Sequence, residues 1–443
     1  MSGAFEGERA VVIGLGVAGA AAARVLADEG ADVVVSEARE HVDSSADLRG
    51  IRVHLGGHQR RHLEDATLVV ASPGVPPHAS VLAWADELGV PVWGELELGA
   101  RLTTVPYVAV TGTNGKTTTT EMIAACLRAG DLDAVACGNI GHPFPVAARE
   151  DHDVLVVECS SFQLRMQESF HPRVSVLLNV APDHLDWHGS FEEYAAAKAR
   201  VFANQRGRDV HVGNRDDATA AAISGAAHCE LGWFTLGRPA PGEAGYVGGE
   251  LVGRWEDGEE MLGGTADDLP AVRADAAACA AACHAFGVHG AAIRGGLTGF
   301  EPGRHRGEVV AAVDAVRFVD NSKATNPHAT LAAVGDAEGV VLIAGGDPKG
   351  VDLTPIGALA DRLSGVVAIG AAAGEVVALF EGRVPTRTAA SIEEAVRAAF
   401  RLAPSPGTVL LAPACASWDM FRDYRERGER FAAAARDVAK VDA

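Results

Sequence analysis

Tyr107-Val108-Ala109-Val110-Thr111-Gly112-Thr113-Asn114-Gly115-Lys116-Thr117-Thr118 decides the reading of this chain. An apolar, β-branched run enters a glycine-rich turn and leaves it as a helix reaching Leu127. A strand, a tight turn and a helix N-terminus in that order aim several backbone N–H groups at one point, which favours a phosphate. Lys116 is expected to reach the outer phosphates and Thr117 to offer its hydroxyl to Mg²⁺. The common phosphate loop has glycine six residues before the lysine. Here that position is Val110, so the loop is a short variant. The alternative is a plain βα turn that happens to carry Gly-Lys-Thr.

The same βα rhythm extends to either side. Upstream, strand-like runs at Arg9–Gly14, Ala31–Val35, Ala66–Ala71 and Val90–Val92 flank a helical stretch at Val17–Glu29, as in a parallel sheet with crossover helices. A break at Leu102–Pro106 separates this unit from the phosphate loop. Downstream, strands are expected at Asp153–Val157 and Val174–Asn179. Residues 205–270 are rich in Gly, Asp and Glu and read as short antiparallel strands and loops. An Ala-rich helix at Val272–Phe286 and a linker at Phe300–Gly307 follow. From Glu308 the βα rhythm resumes, with strands at Val340–Ala344, Gly365–Ile369 and Thr408–Ala412. Three successive α/β units account for the 443 residues, at about the usual domain size.

Composition excludes several classes. The net charge of −21 opposes nucleic-acid or anionic-membrane binding as the main activity. No apolar run is long enough to span a bilayer. The acidic N-terminus does not resemble a signal peptide. The seven cysteines lack Cys-x-x-Cys spacing, which points to thiols in a cytoplasmic protein. Cys279 and Cys283, with His284 beside them, read as a packed Ala/Cys helix face rather than a metal site.

Lysine is the scarce residue: five against 33 arginines. Lys116, Lys198, Lys323 and Lys349 all sit in short motifs that look chemical, and only Lys440 lies in the tail; on spacing alone Lys198 reads as a solvated helix lysine. Lysine is a compact charge that can become a nucleophilic amine, whereas arginine stays protonated. Other polar clusters fall at predicted strand ends. Glu158 closes the Asp153–Val157 strand, well placed for Mg²⁺ beside the loop. Asp183-His184-Leu185-Asp186 follows Val174–Asn179. A capping box at Ser190–Glu193 opens the helix carrying Lys198. At the N-terminus, Gly14-Leu15-Gly16-Val17-Ala18-Gly19 opens a helix and Glu37 ends the next strand. That fits a dinucleotide fold, NAD(P) included, and equally a different nucleotide diphosphate.

Taken in order, these motifs resemble the Mur ligases. The resemblance rests on Thr111–Thr118, Glu158-Cys159-Ser160-Ser161-Phe162-Gln163-Leu164, Asp183–Asp186 through Lys198, and His305-Arg306. Asn321-Ser322-Lys323-Ala324-Thr325-Asn326, Gly345–Lys349 and Pro413–Phe421 are similar to the glutamate-adding branch, as are Ser72-Pro73-Gly74-Val75 and Gly94–Leu98. The resemblance implies an α/β protein of three domains. These are a Rossmann-like UDP-substrate domain (1–103), a central P-loop ATPase-type domain with a parallel sheet (104–303), and a Rossmann-like amino-acid-binding domain (304–443).

It further implies a soluble, monomeric cytoplasmic enzyme. That enzyme would join D-glutamate to UDP-N-acetylmuramoyl-L-alanine with ATP, through an acyl phosphate, in peptidoglycan precursor synthesis. A paralogue using L-glutamate or another acceptor, or a non-catalytic nucleotide-binding regulator, remains an alternative. Carried over by position, Lys116, Glu158, His184 and Lys198 are catalytic. Thr117, Glu158, His184 and Lys198 attend one or two Mg²⁺ ions, with Lys198 carbamylated. ATP falls to Gly112, Thr113, Asn114, Gly115, Lys116, Thr117, Thr118, Asp275, Arg306, Asn321 and Lys323. The UDP-substrate falls to Leu15, Gly16, Val17, Glu37, Arg39, Ser72, Pro73, Gly74, Asn139 and Ser160. Glutamate falls to Thr325, Lys349, Ser417, Trp418 and Tyr424. Two positions depart from the family pattern: Asn321 stands where aspartate is usual, exchanged with Asp320, and Asp275 stands where asparagine is usual.

Overall fold

The computed structural model describes residues 3–42, 48–264 and 270–441 and contains three β-sheets flanked by helices. The chain divides into two compact units. The first unit carries the first two sheets. The second carries the third sheet together with the short segment Ala181–Phe191.

The first sheet comprises β1 (Arg9–Ile13), β2 (Asp32–Ser36), β3 (Arg52–His54), β4 (Leu68–Ala71) and β5 (Val92–Trp93), in the order β3-β2-β1-β4-β5. All its pairings are parallel. Side chains alternate across such a strand. Accordingly, Ala10 and Val12 enter one core, with Leu26 and Leu98, and Val11 and Ile13 enter the other, with Leu63 and Val81. The strand β3 carried no apolar run and was not expected from sequence; its side chains are exposed, as suits a sheet edge.

The second sheet has nine strands: β6 (Tyr107–Thr111), β7 (Ala134–Gly138), β8 (Val154–Glu158), β9 (Val174–Leu177), β10 (Gly207–Asn214), β11 (Cys229–Phe234), β12 (Glu243–Val247), β13 (Glu250–Trp255) and β14 (Gly258–Gly263). Their order is β14-β13-β12-β11-β10-β9-β6-β8-β7. The expectation of antiparallel strands over 205–270 needs correcting. β10 and β11 extend the sheet in parallel, with the helix Ala218–Ser224 between them, and only β12 to β14 form an antiparallel meander. The end of that stretch lies outside the described residues. β10 and β11 were missed because their exposed residues, such as Arg208 and Glu230, interrupt the apolar pattern. The Ala-rich helix Pro270–Phe286, from Ala274 onward, and the helix Gly290–Thr298 complete this unit; the latter packs on the helix Lys116–Ala129 that leaves the glycine loop.

The third sheet comprises β15 (Glu308–Val313), β16 (Val316–Asp320), β17 (Val340–Gly345), β18 (Leu363–Ile369), β19 (Thr386–Thr388) and β20 (Gly407–Leu411), in the order β15-β16-β20-β17-β18-β19. It is parallel except for the β15–β16 hairpin, an antiparallel start that the βα reading did not anticipate. β17 is buried along its whole length. Leu342 and Ala344 face one core and Val341 and Ile343 the other, as in a sheet covered on both sides.

Candidate active site

The phosphate-type turn lies between β6 and the helix Lys116–Ala129. Gly115 caps that helix with φ +84°. A Cβ there would also lie 2.2 Å from Asp275 Oδ1, so glycine is required both by conformation and by space. The loop is clasped by Asn179, which the sequence reading had placed only at a strand end. Its side-chain oxygen accepts from the Asn114 N–H at 2.8 Å, and its amide donates to the Asn114 carbonyl at 3.1 Å. The Asn179 carbonyl accepts from the Thr113 N–H at 2.9 Å. Asp275 braces the helix from outside, accepting from the Thr119 hydroxyl at 3.1 Å. A carboxylate can accept that bond as well as an amide oxygen can, so this contact does not require asparagine.

Two lysines converge on the loop. Lys116 Nζ donates to the carbonyls of Gly112 at 3.0 Å and Thr113 at 2.9 Å. Lys198 Nζ donates to the same Gly112 carbonyl at 2.6 Å. Lys198 is only 1% exposed and lies 4.5 Å over the Tyr194 ring. The Tyr194 hydroxyl in turn bonds to Thr113 Oγ1 at 2.9 Å. On the neighbouring strand, the register pairs Val110 with Glu158 and brings that carboxylate to the loop. Thr117 Oγ1 donates to Glu158 Oε2 at 2.6 Å, and Asn139 Nδ2 donates to Oε1 at 2.8 Å. Glu158 is itself buried. Ser160 caps the helix Ser161–Arg165 by accepting from the Gln163 N–H.

At the carboxyl edge of the first sheet, the turn Gly14–Val17 is tied to Glu37 and Arg39. Leu15 N donates to Glu37 Oε2 at 2.6 Å, and Arg39 Nη2 donates to the Leu15 carbonyl at 3.1 Å. Hydrogen bonds from Arg39 hold the Glu37 carboxyl down at about 2 in spite of its burial. Gly19 packs so closely on the turn that a Cβ would lie 2.0 Å from the Gly14 carbonyl oxygen. Ser72, followed by Pro73 and Gly74 after β4, donates to that carbonyl at 3.0 Å. Val17 is left 77% exposed at the helix start.

In the second unit, Thr325, Lys349 and Ser417 follow β16, β17 and β20, three strands adjacent in the sheet. They therefore lie at one carboxyl edge, where open α/β sheets bind ligands. Lys349 is buried, with φ +54°, and its Nζ donates to Asp183 Oδ1 at 2.6 Å. Asn326 Nδ2 donates to the other oxygen at 3.0 Å. Burial works to raise the Asp183 carboxyl, but Lys349 and His184 hold it below its usual value. His184 Nε2 lies 3.7 Å from Asp183 Oδ1. Lys323 Nζ sits 4.2 Å over the Tyr424 ring, and Trp418 is 64% exposed.

The Asp320–Asn321 exchange has a clear local outcome. Asp320 turns into the core, where it bonds to His305 Nδ1 at 2.7 Å and to the Ser322 N–H at 2.9 Å. His305 immediately precedes Arg306 and has φ +68°. Sequence reading missed Arg427, 1% exposed, whose guanidinium donates to the carbonyls of Ser322, Cys415 and Ala416 and to the Ser322 hydroxyl. It ties the Asn321–Asn326 segment to the Ala414–Ser417 segment. One of four arginines in the helix Tyr424–Val441, it gave no signal of this.

Parallel sheets with loops at their carboxyl edges, and a glycine loop joined to a buried carboxylate and two lysines, define a phosphate-loop α/β enzyme. The Mur ligase middle domain matches residues 110–240, and the Mur ligase MurD-like N-terminal domain matches residues 8–94. The chain is 45% identical to the UDP-N-acetylmuramoylalanine--D-glutamate ligase of Frankia casuarinae, over 98% of this chain and 94% of that one. It is 43% identical to the enzyme of the same name from Streptomyces avermitilis, over 98% and 99% of the two chains. The fold is shared with the MurF ligase of Thermotoga maritima solved with ADP, at a TM-score of 0.63 and 17% identity, over 99% and 97% of the chains. The chain belongs to the Mur ligase family, among its UDP-N-acetylmuramoylalanine–D-glutamate ligases.

Proposed function

We propose that this chain joins D-glutamate to UDP-N-acetylmuramoyl-L-alanine with hydrolysis of ATP to ADP, in the cytoplasmic assembly of peptidoglycan precursors. The observation that carries the reading is the convergence of Lys116, Lys198 and the Thr117–Glu158 pair on one loop, in a chain 45% identical to a protein of that name. A carboxylate is a poor electrophile. Its oxygen attacks the γ-phosphorus of ATP, the bond to ADP breaks, and an acyl phosphate forms. The glutamate amine then attacks the acyl carbon, loses a proton, and inorganic phosphate leaves. Both steps gather negative charge, so fixed cations at the loop contribute most.

In this reading the loop Gly112–Thr118 cradles the phosphates and Lys116 leaves the loop carbonyls to meet the outer ones. Thr117 and Glu158 offer a hydroxyl and a carboxylate oxygen 2.6 Å apart, donors that suit a hard cation, and Asn139 steadies the other carboxylate oxygen through its amide N–H. Mg²⁺, when bound, would neutralise phosphate charge there. Lys198 is read as carbamylated: its amine lone pair attacks CO₂, a proton leaves, and a carbamate anion results. A carbamate nitrogen keeps one hydrogen, enough to retain the bond to Gly112. His184 is assigned to the phosphate side, and Arg306, Asn321 and Lys323 to the nucleotide. The domain at 1–103 takes the UDP group at Leu15–Val17, Glu37, Arg39 and Ser72–Gly74, and that at 304–443 takes glutamate. Lys349 pairs with a glutamate carboxylate by exchanging it for Asp183, with Thr325, Ser417, Trp418 and Tyr424 around it.

Phosphate release with each component omitted in turn tests the proposal. Release is expected only with ATP, Mg²⁺, UDP-N-acetylmuramoyl-L-alanine and D-glutamate together. Full turnover without an amino acid would overturn it.

A further inference from the structure

Three cysteine sulfurs meet in the first unit, away from the loop residues described above. Cys126 lies in the helix Lys116–Ala129, and Cys279 and Cys283 lie one turn apart in the helix Pro270–Phe286. Cys126 Sγ is 3.6 Å from Cys279 Sγ, and Cys279 Sγ is 3.9 Å from Cys283 Sγ. All three sulfurs lie within 4.8 Å of one another, and all three residues are fully buried. His284, adjacent in sequence, is not in this group; its ring stacks on Trp255 at 3.7 Å. The third sulfur comes instead from a helix more than 150 residues earlier in the chain.

The surroundings restrict what the cluster can hold. The helix around Cys279 and Cys283 is alanine, and the polar contact beside the sulfurs is the Ile293 carbonyl, which accepts from the Cys126 thiol at 3.4 Å. Gly296 backs directly onto Cys126, where a Cβ would lie 2.7 Å from Sγ. A hard cation needs several oxygen ligands and structural zinc a fourth sulfur, nitrogen or carboxylate donor, and among the described residues the group found beside the three sulfurs is the single Ile293 carbonyl. Soft sulfur ligands select Cu(I). An ion at the centre of three sulfurs, with bonds of about 2.3 Å, sets them roughly 4 Å apart. A disulfide would require closure to about 2.05 Å.

We propose that Cys126, Cys279 and Cys283 form a buried three-sulfur site for a soft monovalent cation of the Cu(I) class. Two thiols release their protons as the cation bonds to their sulfurs, and the third sulfur donates a lone pair as a neutral thiol. The cluster then carries a single negative charge. The cation ties the phosphate-loop helix to the helix whose Asp275 braces Thr119.

The test uses the reduced full-length protein under anaerobic conditions, with Cu(I) supplied in competition with a chromophoric Cu(I) chelator. The wild type is expected to withhold one Cu(I) per chain, with three sulfur neighbours by X-ray absorption. Cys126→Ala and Cys283→Ala, on separate helices, are each expected to weaken retention at least as much as the roughly 10–100-fold that loss of an outer-shell partner costs. Both variants keep Cys137, Cys159, Cys229 and Cys415. Failure of the wild type to hold Cu(I) overturns the site even if a variant does not fold. Unchanged retention in a folded variant, or a Cys126–Cys279 disulfide in the reduced protein, overturns it as well.

Discussion

Lys116 and Lys198, 82 positions apart in sequence, donate to the same backbone oxygen, the carbonyl of Gly112, at 3.0 and 2.6 Å. As free amines they concentrate positive charge at the mouth of the loop; carbamylation would turn the charge of Lys198 negative while Lys116 stays positive. A phosphate is a far stronger partner for Lys116 than a carbonyl is. Lys198 is buried and held by Gly112 and the Tyr194 ring, so it is placed to act where it sits.

Replacing Lys198 separates charge from chemistry. Lys198→Ala is expected to reduce kcat by about a hundredfold or more, the scale of losing a charge-stabilising group at the reacting centre. Lys198→Arg keeps the positive charge but cannot form a carbamate, and is expected to do no better. Added acetate is expected to restore part of the activity of the alanine variant. Steady-state rates of the two variants check this, and wild-type rates in Lys198→Arg would contradict it.

Two glutamates in the first unit give pH dependences of opposite sign. Glu37 is held at about 2 against an ordinary 4.5. Its stabilisation is therefore complete above about pH 5 and lost as pH falls from 4.5 towards 2. Burial pushes Glu95 up to about 7, with Gln163 donating to it at 2.9 Å. The folded chain keeps that proton between 4.5 and 7 after the unfolded chain has released it. Stability therefore falls as pH rises through that window, by of order 3 kcal/mol. Denaturant unfolding across pH checks both. Glu95→Gln is expected to gain stability relative to wild type from about pH 4.5 to 7. The stability that Glu37→Gln loses is expected to be constant above about pH 5 and to shrink below it.

Arg427 predicts a structural loss with a functional readout. Burial pulls its guanidinium down to about 10 against the opposing pull of Cys415, Asp419 and Asp320, and it makes four hydrogen bonds. Arg427→Ala leaves buried carbonyls without donors and is expected to cost about 3 kcal/mol. Because the segments it ties carry Thr325 and Ser417, KM for glutamate is expected to rise in Arg427→Lys, which retains the charge but lacks the planar fork. Unfolding curves and glutamate titrations check the two effects.

The parts legible in the sequence were those with local signatures. Residues 112–118 specify a loop by glycine spacing and a following helix, and β1, β8, β17 and β20 announce themselves as unbroken apolar runs. What escaped was set by long-range pairing. Asn179 clasps the loop only because β9 lies beside β6. Cys126 joins Cys279 only through helix packing, and Arg427 is a core residue in the charged opening turns of its helix. β10 and β11 are parallel because a short helix returns the chain, which composition cannot show. Asp320 and Asn321 could be flagged as exchanged, but that the carboxylate turns inward to His305 is a matter of register.

The stereochemistry of the acceptor is what most sharply distinguishes a D-glutamate ligase from a relative of other specificity. With ATP, Mg²⁺ and UDP-N-acetylmuramoyl-L-alanine fixed, D-glutamate and L-glutamate are supplied in parallel and the nucleotide product is weighed by mass spectrometry. A product larger by one glutamate residue is expected with the D-isomer and none with the L-isomer. Equal product from L-glutamate, or none from D-glutamate, would contradict it.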